Sequence, residues 1–84
     1  MRKFKRVEVN WEDASLYSER HSVDWVTNET KLIPMKTVGL LVKRGRRVVI
    51  VSGEFNEWAK ELSVTTVIPR SCVTSIKYLE EIDG

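Results

Sequence analysis

Cysteine occurs once in the 84 residues, at Cys72, and histidine once, at His21. A lone thiol excludes an internal disulfide and fits a reducing compartment, and one thiol with one imidazole cannot complete a zinc site of the usual kind. Two prolines and four glycines are too few for a collagen-like repeat or a flexible low-complexity tract. No apolar run approaches the roughly 20 residues of a membrane-spanning helix. The basic start, MRKFKRVEVN, also lacks the apolar stretch of about 7–15 residues found in a secretory signal. The expectation is a chain kept in the cytoplasm, in which the tripeptide Asn28-Glu29-Thr30 matches a glycosylation sequon by coincidence.

What is present is ordinary globular material, 42% hydrophobic and 31% charged, with no repeat and no linker, so residues 1–84 read as a single domain. A domain this short buries only about 60–65% of the surface its unfolded chain exposes, and association with another chain would add stability. The net charge of +2 conceals a segregation. Residues 1–10 carry four positive charges and one negative, 11–34 two and five, 35–53 five and none, and 54–84 three and six. Such a total is too small to mark the whole domain as a nucleic-acid binder, so any such role rests on one local patch.

Alternation of Val7, Val9 and Trp11 with Arg6, Glu8 and Asn10 predicts a half-buried first strand over 4–11. Residues 12–34 are polar and acidic yet keep Leu16, Tyr17, Val23, Trp25, Val26, Leu32 and Ile33, which reads as a long excursion with its own anchors. TVGLLVKRGRRVVIVSG predicts strands at about 36–43 and 46–52, joined by a tight turn in which Gly45 takes a positive φ. Both faces of that hairpin are apolar, so Leu41, Val49 and Val51 need a cover: either Trp25 and its neighbours folded back, or a second subunit. In GEFNEWAKELS the spacing of Phe55, Trp58, Ala59 and Leu62 predicts a short helical turn near 54–62, capped by Asn56. A strand at 64–68, a stop at Pro69, a turn over 70–72 and a last strand at 73–79 follow, with a fraying tail EEIDG.

Residues Ile68-Pro69-Arg70-Ser71-Cys72-Val73 resemble the Ile-Pro-x-x-x-Val turn between the fourth and fifth strands of SH3 domains, and the 12–34 excursion sits where those domains carry their long loop. This resemblance implies an all-β, five-stranded SH3-like small barrel with a long loop after strand 1. It does not carry over the groove for proline-rich peptides, because Cys72 stands at the aromatic position before Val73. The apolar spacing of Ile68, Val73 and Ile76 is also similar to the second motif of Sm and Hfq proteins, although the RNA-contacting positions hold Pro69, Arg70 and Ser71. Together VEVNWEDA, Trp25, TVGLLV, VVIVSGE and IPRSCVTSIKYL look like a group of short uncharacterised bacteriophage and prophage proteins, with Leu40 where that group has an aromatic. That likeness implies origin, a host cytoplasm and the fold.

Ser15, Ser18, His21 and Asp24 recur at three-residue intervals, but working triads are assembled from separate segments around an oxyanion hole, and the chain reads as non-catalytic. No paired acids sit in an apolar setting that would tune them. Cys72 reads as a small core filler, and Trp11, Trp25 and Trp58 as core aromatics. Lys43, Arg44, Arg46 and Arg47 leave two readings open: a solvated hairpin tip, or a hold on phosphate if the N-terminal basic cluster shares its face. The leading expectation is a binding module, a phage-type accessory protein that engages a protein partner or its own copies. The alternative is an Sm-like nucleic-acid-binding barrel using the 43–47 tip. No cofactor, membrane or small-molecule substrate is expected.

Overall fold

The computed structural model describes residues 4–79; Arg2 and Lys3 of the basic start, the acids Glu80 and Glu81 and the rest of the tail lie outside the described residues. The strands are β1 (Arg6–Asp13), β2 (Ile33–Arg44), β3 (Val48–Asn56), β4 (Glu61–Pro69) and β5 (Val73–Tyr78). Helix α1 (Val23–Glu29) lies in the β1–β2 connection, and a 3-10 turn, Arg70–Cys72, separates β4 from β5. Every pairing is antiparallel, in the order β4-β3-β2-β1-β5. The all-β class is as expected. The sheet is not closed into a barrel, because β4 and β5 remain edges with no ladder between them.

Alternation along β1 turns Val7 and Val9 to the concave face, where both are fully buried with Val49, Val51 and Ile68. Ile68 belongs to the edge strand β4 and Val7 to β1, so the sheet must curl for these side chains to share one core. Two register shifts, one where β2 carries an extra residue between Leu41 and Lys43 and one where β5 carries an extra residue, Thr74, opposite the Asn10–Trp11 step of β1, supply local bending of the kind that β-bulges give. Gly39 lets β2 approach β3 closely: a Cβ there would stand 2.6 Å from the Ser52 carbonyl oxygen and 2.9 Å from Val51 Cγ1. The 3-10 turn packs against β1, and Arg70 N donates to Arg47 O at 2.8 Å, tying β4's exit to the β2–β3 turn.

Trp11 borders the core half-buried, its Nε1 donating to Thr37 Oγ1 at 2.9 Å, and Cys72 is half-buried in the 3-10 turn. The structure corrects the expectations for the 54–62 stretch. The stretch 54–62 is a hairpin rather than a helical turn: β3 runs on to Asn56, β4 begins at Glu61, and Phe55 lies opposite Leu62. Asn56 does cap, but it caps a four-residue turn, its Oδ1 accepting from the amides of Trp58 and Ala59 while Lys60 takes φ 58°. Trp58, placed in the core from sequence, sits on that turn 98% exposed.

The β2–β3 turn is present, yet Gly45 does not take a positive φ. The bulge in β2 supplies the twist, and glycine there provides room, since a Cβ would meet the Val48 carbonyl oxygen at 3.0 Å. Nor does Trp25 fold back over the hairpin. It stays within the excursion, stacked on His21 at 3.6 Å and edge-on to Tyr17 at 5.8 Å. Val49 and Val51 are covered by the curl of the sheet itself.

Val64 takes φ 53°, a left-handed conformation that a β-branched residue adopts at a cost of about 1–2 kcal/mol. Its side chain is exposed, so little packing opposes a change. Val64→Asn is expected to stabilise the fold by about 0.5–1 kcal/mol in urea unfolding, since asparagine tolerates this region better. Ile68→Ala, by contrast, should cost about 2–5 kcal/mol, because it empties the centre of the only fully buried apolar cluster among the described residues. A loss within the roughly 0.5 kcal/mol of surface substitutions would place β4 outside the core.

Candidate functional site: the basic end and the apolar arm

β2 joins two chemically different ends. At its C-terminal end, Lys43, Arg44, Arg46 and Arg47 surround the turn, and among the described residues none of them has a carboxylate partner; the one ion pair found is Lys36 with Glu8, at 3.6 Å. Strand alternation divides them. Lys43 lies opposite Ile50 on the convex face, and Arg44 lies opposite the buried Val49 on the concave side. Lys43, Arg46 and Arg47 line a concavity of about 560 Å³ with Val48 at its floor.

Arg44 turns to β5 instead: its Nη1 donates to Tyr78 Oη at 3.0 Å, and its guanidinium carbon stands 5.9 Å from the ring centre. Lys5 Nζ lies 5.7 Å from the same ring. The N-terminal and hairpin cations therefore do share one end of the sheet, at least through Lys5. Sequence reasoning missed Tyr78, which is 45% exposed and sits between those two cations, because it was read as an ordinary residue of the last strand. Arg70, which the sequence offers only at an RNA-contacting position of the Sm-like motif, also reaches the tip: its backbone is held to Arg47 and its Nη1 is buried without a partner. No local spacing could have found either, since the strand order brings them to the tip.

The other end is an arm. β1 and β2 pair as far as Asp13 and Ile33, and the connection beyond them carries α1, with Ser22 as N-cap accepting from Trp25 N at 3.1 Å. The apolar residues expected to anchor this excursion are mostly in solvent: Leu16 is 92% and Val23 84% exposed, and Val26, Leu32 and Ile33 are exposed as well. The physical reason is that Tyr17, His21 and Trp25 satisfy one another locally, leaving α1 without a seat on the sheet. The molecule is accordingly elongated, 56 × 26 × 25 Å, with a radius of gyration of 16.9 Å against about 12 Å for a compact chain of this length.

The serines, histidine and aspartate of the arm do not form a relay. Ser15 Oγ donates to Lys31 O at 2.6 Å, Asp24 Oδ1 accepts from Asn28 at 3.3 Å, and the His21 ring lies on Trp25. The convex face of the sheet, meanwhile, is mixed: Ile50 lies opposite Val67, which is 58% exposed, and the exposed Val38 of β2 lies opposite Glu8, with the Asn10 and Lys36 pair further along. Among the described residues no helix is long and apolar enough to cross a membrane. Comparison with protein-family models, with curated proteins and with solved structures finds no match.

The tip is expected to be dispensable for folding. Replacing Lys43, Arg44, Arg46 and Arg47 together by glutamine should move the unfolding free energy by less than about 1 kcal/mol in urea titration, because exposed charges contribute little and here repel one another. A larger loss would show that the Arg44–Tyr78 contact secures β5.

Proposed function

We propose that this chain is a non-catalytic binding module, an accessory protein that acts by self-association, with the arm of one copy docked on the convex face of the next. The SH3-like small-barrel frame is part of the same proposal: five antiparallel strands and a 3-10 turn directly after Ile68-Pro69 support it, while the sheet itself is open between β4 and β5. Origin in a bacteriophage or prophage and residence in a host cytoplasm belong to the same proposal.

The observation that carries it is complementarity between two uncovered surfaces. The arm presents Leu16, Val23 and Val26 beside Glu19, Asp24 and Glu29, with Arg20 and Lys31 as its bases, and Glu12 and Asp13 of β1 stand at its root. The convex face presents Ile50, Val67 and Val38 beside Lys43, Arg46 and Arg47. Exposed apolar side chains with a charged rim mark an interaction site, and opposite rims select the pairing. Two arms facing each other would bring like charges together, so charge favours a heterologous, head-to-tail contact over a symmetric one.

Light scattering over a concentration series tests this. The wild type should associate, less so as salt rises. Leu16→Glu with Val23→Glu should give a monomer, and so should Lys43→Gln, Arg46→Gln and Arg47→Gln combined. Mixing those two variants should restore a dimer that grows no further, since each supplies the surface the other lacks. A wild type that stays monomeric at all concentrations, or a mixture that stays monomeric, removes the reading.

A further inference from the structure

The basic end carries a feature that self-association does not use, the exposed Tyr78 ring on the concave side of the tip. Cations flank this ring: Lys5 Nζ stands 5.7 Å and the Arg44 guanidinium carbon 5.9 Å from its centre, and Arg44 also fixes the hydroxyl at 3.0 Å. Around the turn, on the other side, Lys43, Arg46 and Arg47 rim the 560 Å³ concavity with no acid paired to them among the described residues. The chain joins the two features at the end of β2, where the consecutive Lys43 and Arg44 point to opposite faces.

From this juxtaposition we propose that the tip is a binding site for single-stranded nucleic acid, with backbone phosphate on Lys43, Arg46 and Arg47 and one unpaired base stacked on Tyr78. Phosphate needs unpaired cations, and three stand together. A base needs a π-face, and the Tyr78 ring is 45% exposed, with Lys5 and Arg44 over it at 5.7 and 5.9 Å and its hydroxyl held by Arg44. Stacking on an aromatic face with cations beside it is the sequence-tolerant mode by which single strands are bound. A duplex cannot use the ring, because its bases are already stacked on one another. Few amide side chains surround the tip, so little base-edge reading is expected. The site shares Lys43, Arg46 and Arg47 with the docking face, and a bound strand would compete with a neighbour's arm.

The test uses the full chain carrying Leu16→Glu and Val23→Glu, two exposed arm positions, so that binding is read without self-association. The probe is a fluorescein-labelled oligothymidylate, followed by anisotropy from low to high salt. Binding should weaken as salt rises, and the triple change Lys43→Gln, Arg46→Gln and Arg47→Gln should flatten the slope of log affinity against log salt by about 2 units, roughly 0.7 per lost contact. Tyr78→Ala should weaken binding about 5- to 150-fold with the slope unchanged, and Tyr78→Phe should bind like the parent. Because Tyr78 lies opposite Val7 in the sheet, Tyr78→Leu is measured as well: it keeps an apolar side chain, removes the π-face and should bind as weakly as alanine.

No binding at low salt overturns the proposal. So does a Tyr78→Leu variant that binds like the parent, or a duplex of the same length bound as tightly as the single strand, since either would make the tip a general polyanion contact. Oligonucleotide binding by a protein whose wild type never self-associates would sustain this site and remove only the arm interface.

Discussion

The curl of the sheet is the constraint on which the remaining structure depends. Among the described residues Val7, Val9, Val49, Val51 and Ile68 are the fully buried apolar side chains, and they come from β1, β3 and β4, which a flat sheet in the observed order would hold apart. The bulge after Leu41, the missing Cβ of Gly39 and the 3-10 turn against β1 all act on this one geometry. With so small a core, the net stability of the domain is the slight excess of burial over the entropy of ordering the chain. Trp11, Leu41, Val73 and Ile76 ring this core, and α1 of the 14–32 connection is not packed against it.

The same curl creates the basic end. Lys5, Arg44 and Tyr78 are distant in sequence and lie on three different segments, yet the order β2-β1-β5 stacks them at one rim. Arg70 arrives beside Arg47 because the 3-10 turn crosses there. Once the strands are ordered, unpaired positive charge accumulates at one end of β2 and an acidic, apolar arm at the other. Charge segregation along the chain thereby becomes charge segregation in space.

How much of this was legible follows from the range of the signal. Strands β1, β4 and β5 were legible because period-2 alternation and a proline stop are local, and the turn over 70–72 followed from Pro69. The stretch around Trp58 was misread for an equally local reason. Phe55, Trp58, Ala59 and Leu62 satisfy a helical stripe, but Phe55 and Leu62 are also cross-strand partners, and only the pull of β3 and β4 into one ladder decides between the two. Asn56 serves both outcomes, since an Asx side chain caps a helix or closes a turn with the same acceptor. The basic residues of the tip were legible as a cluster, whereas Tyr78 was not, because its relation to them is set by the strand order.

The arm shows why an apolar residue in a polar stretch is ambiguous evidence of a core. Leu16, Val23 and Val26 look from sequence like anchors because burial is the usual fate of such side chains. Here Trp25 already has His21 and Tyr17 against its ring, and Ser22 caps the helix, so α1 is satisfied within the excursion and gains no seat on the sheet. A helix of seven residues is too short to persist in water on propensity alone. Its own contacts hold it only locally, and Leu16, Val23 and Val26 remain exposed. Covering that surface with a second molecule would return to the domain the burial that its own length denies it.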